Sequence, residues 1–297
     1  MRCHGLALAL VGALGCDLDR LFEGAGSSPP STLPQGAAAG SHVALGAPYD
    51  TSPQDELVLT KPQYVVSYNR FRNAPNWVAW RLTASDMGSV GRTRRRFAPD
   101  PQLPEGVYRV MHNDYAGSGF DHGHLCPSAE RTATVDDNAA TFVTTNIVPQ
   151  RHDLNAGPWE ALERWSVTMA ARGWDLYIVA GATWPRACAT DVYPAGNVPG
   201  EGCPSIGRSA DPARRVAVPS STWKVITLAP RGAGVEAITS ATPVVAVDMP
   251  NDGSAGADWR RYVLSVDALE ARTGYEFHGG VAPGVQHAIE AGVYAGE

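Results

Sequence analysis

Asp121-His122-Gly123-His124, then Asn146, then Leu154-Asn155-Ala156-Gly157-Pro158-Trp159-Glu160-Ala161-Leu162-Glu163, is the part of the chain on which fold and chemistry turn. It brings an imidazole, two carboxamide oxygens and a carboxylate into one short region. Those are the parts needed to bind one hard divalent cation and to activate a water beside it. The chemistry they imply is metal-assisted hydrolysis, with a phosphodiester as the expected bond.

Working outward, Pro158 suits a first helical position, where no amide hydrogen bond is lost. Trp159, Leu162, Trp165 or Ser166, and Met169 then form an apolar stripe, and Gly173 ends it. A helix is expected from about Pro158 to Arg172. Asn155, Trp159 and Glu163 fall at steps of four. On a regular helix Asn155 and Glu163 would lie about 80° apart around the axis and about 12 Å apart along it. Glu163 would then reach an ion bound by Asn155 only through a water. Asn155 could alternatively cap the helix, and Glu163 could be a solvated helical residue.

His124, with an ordinary pKa of about 6.5, can take a proton from water near neutral pH. Gly123 allows a tight turn or close approach, and Asp121 could orient a neighbour or brace the turn. Asn146 is either a turn former or a brace for the imidazole or for metal-bound waters. The phosphate needs cations, and Arg92, Arg94, Arg95 and Arg96 form a dense cluster before Phe97. Arginine forks suit phosphate oxygens, although a charge run is usually a solvated loop. His122 could add a second donor.

Strands are expected at Tyr64–Tyr68 and Trp77–Leu82, joined by a turn around Asn73-Ala74-Pro75-Asn76, and at Asp175–Ala180. Further strands are expected at Trp223–Leu228, Val244–Val247 and Tyr262–Ser265, with a weaker candidate at Val107–Val110. Short helices are expected from Thr134, as cap, to Phe142 and near Val266–Thr273. The order is mixed α/β with many antiparallel neighbours, an α+β arrangement. No linker-like stretch divides residues 54–297, which read as one domain.

Residues 1–16 read as an export signal, with Arg2 ahead of an apolar run from Leu6 to Leu14 that is too short to span a bilayer. Ala13-Leu14-Gly15-Cys16 resembles a lipobox, with Ala13 where leucine is usual, so Cys16 is a candidate lipid anchor. The expected location is outside the cytoplasm, periplasmic or extracellular, with or without membrane attachment. Residues 17–53, rich in Gly, Ser, Pro and Ala, read as a flexible tether. Cys188 and Cys203 bracket a Pro/Gly-rich loop and could form a disulfide, while Cys126 is either a buried thiol or part of a Cys/His site. Of the 297 residues 44% are hydrophobic and 18% charged, which allows a packed core and argues against global disorder. The net charge of −6 argues against a protein that coats nucleic acid with its whole surface, but not against a local basic groove.

The spaced motifs resemble the DNA/RNA non-specific endonuclease family, the sugar-non-specific ββα-metal nucleases that include endonuclease G. The family pattern Asp-Arg-Gly-His reads here as Asp121-His122-Gly123-His124. The Asn before Ile-x-Pro-Gln is Asn146, followed by Ile147-Val148-Pro149-Gln150. The Leu-Asn-x-Gly-x-Trp-x-x-Leu-Glu segment is Leu154 to Glu163. Asn76-Trp77-Val78-Ala79-Trp80, Asp114-Tyr115 and Thr273-Gly274-Tyr275-Glu276-Phe277 also look like family features. The resemblance implies a central, mostly antiparallel sheet flanked by helices. It implies His124 as general base, Asn155 as direct Mg²⁺ ligand (Mn²⁺ substituting), Glu163 holding metal-bound water, and Asn146 in support. It further implies DNA and RNA backbone as substrate, cleaved without sequence preference to 5′-phosphates. One departure stands out: the family arginine is His122 here, which exchanges a permanently charged fork for a titratable ring and predicts weaker or more pH-dependent phosphate binding. A second family arginine falls somewhere in Arg92–Arg96. Two other readings compete: a Zn²⁺ hydrolase using His122, His124, Cys126 and His152, and a surface-anchored nucleic-acid-binding protein without catalysis. The sequence leaves a homodimer and an inhibitor protein open.

Overall fold

The computed structural model describes residues 37–51, 55–93, 96–188 and 202–296. The signal, the lipobox and the first part of the tether lie outside these residues, as do Arg94 and Arg95. No helix among the described residues is long and apolar enough to cross a membrane.

The frame is a seven-stranded sheet in the order β1 (Leu57–Thr60), β2 (Val65–Asn69), β3 (Ala74–Leu82), β6 (Trp174–Thr183), β9 (Ser221–Pro230), β10 (Val244–Pro250), β11 (Val263–Leu264). Every neighbouring pair in it is antiparallel. Two short hairpins stand apart: β4 (Asp121–His124) with β5 (Ile147–Gln150), and β7 (Ser205–Ile206) with β8 (Val216–Ala217). The helices are α1 (Ala37–His42), α2 (Val135–Ala140), α3 (His152–Leu154), α4 (Glu160–Ala171), α5 (Val266–Thr273) and α6 (Pro283–Ala291).

Both faces of the central strands are buried, so the middle of β6 is a run of apolar residues, and Thr222, Lys224 and Thr227 of β9 are buried as well. Side chains alternate across a strand, and the alternation sorts them into two cores. Trp80, Ile178, Ala180, Ile226 and Val247 pack with Trp159, Leu162 and Met169 on the face covered by α4. Trp77, Tyr177, Trp223, Val225 and Ala246 pack on the opposite face with Val266 and Leu269 of α5 and Ile289 of α6. Leu45 is buried in this second core, and Tyr49 pairs with Glu276, so packed chain begins ahead of the expected boundary at residue 54.

Local chemistry explains where elements stop. The β2–β3 turn occupies 70–73, three residues before the expected position. The Asn69 side-chain oxygen accepts the Phe71 and Arg72 amides, and Asn73 takes the left-handed conformation at φ 52°, both habits of asparagine in turns. Thr134 caps α2 as expected, accepting the Asp137 amide. Ser265 does the same for α5, whose end is the left-handed Gly274. The stretch 107–110 forms no strand. Val110 is instead anchored in a small third core by burial, with its carbonyl accepting the Thr144 hydroxyl.

Cys188 and Cys203 form a disulfide, with Cα atoms 4.9 Å apart. It closes a loop of 15 residues' separation, for which chain entropy gives about 3 kcal/mol. Cys203→Ser is expected to lower the urea midpoint by an amount corresponding to about 3 kcal/mol, with the slope m little changed. An unchanged midpoint would show that the reduced chain loses no comparable freedom.

Candidate active site

The hairpin β4–β5 and the helix α4 form a ββα unit on the first-core face of the sheet. The hairpin register sets Asp121 opposite Gln150 and His124 opposite Ile147. Gln150 donates to the Thr222 hydroxyl in β9, and Asn251 clasps the carbonyl of Pro149 and the amide of Arg151, so the hairpin is pinned to the sheet at its β5 end. Gly123 is required by packing: a Cβ there would overlap the Gln150 side chain.

The helix does not start as a regular α-helix. Asn155–Trp159 forms a π-type turn, with Gly157 at non-helical φ −106°, ψ −114°. Pro158 has no amide hydrogen to continue the ladder, and an extra residue is accommodated there. The 80° separation expected from a regular helix therefore does not apply. The Asn155 carboxamide makes no cap bond to the helix. Its Nδ2 donates to Asp121 Oδ2 (3.0 Å), which also takes the His152 ring at 2.8 Å. The Asn155 carboxamide oxygen is left as the open atom of that pair. Four residues on, the Trp159 indole donates to the His124 carbonyl at 2.9 Å. Two hydrogen bonds thus tie Asp121 and His124, the two ends of β4, to Asn155 and Trp159, one helical turn apart.

His124 is buried at 6% exposure, and its Nε2 has no hydrogen-bond partner. Phe97 lies tilted against the ring (5.3 Å) and Phe142 meets it edge-on (5.0 Å, 82°). Burial, the Arg92 guanidinium and His122 hold its pKa down to about 3, so the ring is neutral with an accepting nitrogen at neutral pH. Arg92 stacks over Phe142 at 5.3 Å and acts electrostatically on both His124 and Glu163, which places all three in one neighbourhood. Glu163 is half-buried. Burial pushes its carboxyl up to about 8, against the opposing pull of the Lys224 ammonium.

Three expectations change. His122, expected as a second donor, is enclosed by rings: it is stacked with Phe97 (4.2 Å, 1°), Tyr115 (4.0 Å) and His112 (4.7 Å), and its Nε2 lies 3.3 Å from the His112 carbonyl. Burial, then His112, lowers its pKa to about 4, so it carries no charge at neutral pH. Asn146 touches neither the imidazole nor open space. It is fully buried, accepts the Cys126 amide and donates to the carbonyls of Cys126 and Thr141. It braces the backbone just beyond His124 and just before Phe142. Among the described residues, His122, His124, Cys126 and His152 do not gather into a metal-holding cluster. Cys126 is a free, buried thiol, which burial pushes up to about 12. Of the arginine cluster, Arg92 is at the site and Arg96 is exposed.

The aromatic wall of Phe97, Phe142, His112 and Tyr115 escaped the sequence, because its members are scattered along the chain and show no shared spacing. Lys224 had a visible signal, a single charge inside an apolar strand. The donor set near β4 fits a hard divalent cation: a carboxamide oxygen beside a carboxylate, with a half-buried second carboxylate on the same helix.

Glu163 supplies a pH test on metal-free protein. Its folded pKa is raised above the unfolded value, so its contribution to stability is intact below about pH 4.5 and is lost as pH rises toward 8. Glu163→Gln is expected to gain stability relative to the parent between pH 5 and 8 and to level off above. Urea titrations in EDTA with no such trend would show that the carboxyl is better solvated than its position implies.

The model of the DNA/RNA non-specific endonuclease family matches residues 44–283. A Nostoc sp. protein named nuclease is 42% identical over 257 residues, 85% of each chain. Bovine mitochondrial endonuclease G is 26% identical over 92% of each chain. Human mitochondrial nuclease EXOG is 29% identical over 74% of this chain, which spans 58% of the human protein. Among solved structures, EndoG in complex with its inhibitor EndoGI superposes with a TM-score of 0.65 at 22% identity, covering 84% of this chain and 95% of that one. The likeness supports the ββα arrangement expected of the fold.

Proposed function

This chain belongs to the DNA/RNA non-specific endonuclease family and is a nuclease, and from that premise we propose that the ββα unit hydrolyses phosphodiester bonds with His124 as general base. The observation that carries the assignment is the buried, neutral imidazole with an unpartnered ring nitrogen, held by its own carbonyl to Trp159. In-line attack on phosphorus needs a base that is unprotonated and fixed. Burial and the neighbouring Arg92 guanidinium favour the neutral, proton-accepting ring.

Asn155 and, through water, Glu163 would hold a Mg²⁺ ion, with Mn²⁺ as a substitute. Bound there, the ion supplies Lewis-acid stabilisation of charge on the phosphoryl and leaving oxygens. The chain's own residues do the rest. His124 takes the proton of the attacking water. Arg92, fixed over Phe142, pairs with a non-bridging phosphate oxygen. The P–O3′ bond breaks and the departing 3′-oxygen takes a proton from solvent water, leaving a 5′-phosphate and a 3′-hydroxyl. Contacts made to phosphate carry no base information, so cleavage is expected to be indifferent to sequence. We also propose export, on the N-terminal signal pattern, with Cys16 as the lipid attachment point. Mass analysis of the mature N-terminus tests that part.

His124→Ala is expected to lower kcat by about 10²–10⁴-fold in plasmid nicking while the thermal midpoint stays near the parent. Digestion at the parent rate would overturn the mechanism. Asn155→Ala is expected to raise the Mg²⁺ concentration for half-maximal activity by about tenfold or more. An unmoved Mg²⁺ requirement would remove Asn155 as ligand.

A further inference from the structure

The middle of β9 holds a residue that packing alone does not explain. Lys224 is completely buried, and its ammonium makes no hydrogen bond. It pairs with Ala180 on one side and Val247 on the other, and shares its face with Ile226 and Leu228, directly under α4. A core that needed only volume there would carry methionine or leucine, since a desolvated charge opposes folding unless something compensates it.

Two indoles face it directly, and the carboxyl groups of Glu130 and Glu163 act on it electrostatically. Lys224 Nζ lies 4.3 Å from the centre of the Trp159 ring and 5.5 Å from that of Trp80, inside the range of cation–π attraction. Each indole is itself anchored by its N–H. Trp80 donates to Glu130 Oε2 at 2.6 Å, and Glu130 is as deeply buried as the lysine. Trp159 donates to the carbonyl of His124. The chain of contacts therefore runs from a buried carboxylate, through an indole, to the ammonium, through a second indole, to the backbone of the proposed base.

We infer that Lys224 is a positioning residue for the reaction: its ammonium, caged between Trp80 and Trp159, fixes the Trp159 indole and through it the His124 imidazole. A cation over the face of an indole draws electron density from the ring, which strengthens the N–H as a donor and restricts the ring plane. His124 has no hydrogen bond to its buried Nε2, so its placement relies on its backbone and on ring packing. Weakening the Trp159 bond loosens that backbone, and sub-ångström displacement of a reacting group is enough to lower turnover. The inference rests on His124 acting as the base, and the readouts below separate the two.

The experiment uses the full chain and the variants Lys224→Met, Trp159→Phe and their double. The Trp159 indole N–H resonance is read by NMR on metal-free protein, together with the thermal midpoint, and kcat and KM are measured on a polynucleotide at saturating Mg²⁺. Lys224→Met is expected to move the indole resonance upfield, to keep or raise the thermal midpoint, and to lower kcat about tenfold with KM within about twofold. The double variant is expected to lose no more kcat than Trp159→Phe alone, because both changes break one chain of contacts. An unmoved resonance, an unchanged kcat, or additive losses would overturn the inference. Should Lys224→Met fail to fold, Lys224→Gln is held to the same outcomes. Failure of the base assignment shows separately, as full activity in His124→Ala, and leaves the resonance readout intact.

Discussion

One hydrogen bond, from the indole nitrogen of Trp159 to the carbonyl of His124, joins the helix to the hairpin where the chemistry lies. Other features of the ββα unit arrange that junction or depend on it. The π-type turn places Trp159 under His124 while leaving Asn155 to face Asp121. Gln150 and Asn251 hold the far strand of the hairpin against the sheet, so the near strand has little freedom to drift. A neutral hydrogen bond of this kind is worth about 1 kcal/mol in net stability. Its importance is geometric, because the imidazole it locates has no other polar tether.

The large features were legible in the chain. Apolar runs at Asp175–Ala180, Trp223–Leu228 and Val244–Val247 are strands of the central sheet, because residues buried on both faces leave an unmistakable run. The α2 cap at Thr134 and the stop at Gly173 follow from side-chain and backbone chemistry that acts locally. The Asp121-to-Glu163 motif located the ββα unit because its members are close in sequence. What escaped was non-local. The turn lies at 70–73, ahead of the expected Asn73–Asn76, because Asn69 supplies the side-chain acceptor. Asn146 looked like a site residue because its carboxamide could serve several ends, and only the fold shows both of its ends occupied by Cys126 and Thr141. The break in the helix at Gly157 was foreshadowed by Pro158, but a proline at a first helical position and a proline inside a π-type turn look the same in one dimension.

Electrostatically the site is unusual for the partner it handles. The chain is acidic overall, and the two imidazoles on β4 are both held neutral by burial. Among the described residues, positive charge near the reacting groups comes from Arg92, which is exposed, and from Lys224, which is buried. The first can meet solvent and substrate, while the second is sealed in the core. In the proposed reaction, attraction of a polyanion and organisation of the reacting groups would then fall to different cations.

The stacked ring of His122 has a consequence for how the enzyme behaves in brine. A permanent cation that pairs with phosphate displaces a condensed counterion, and each such pairing steepens the loss of binding with added salt by about 0.9 in the logarithmic slope. A neutral ring among Phe97, Tyr115 and His112 displaces none. Whatever salt dependence phosphate binding shows here must therefore come from cations other than His122.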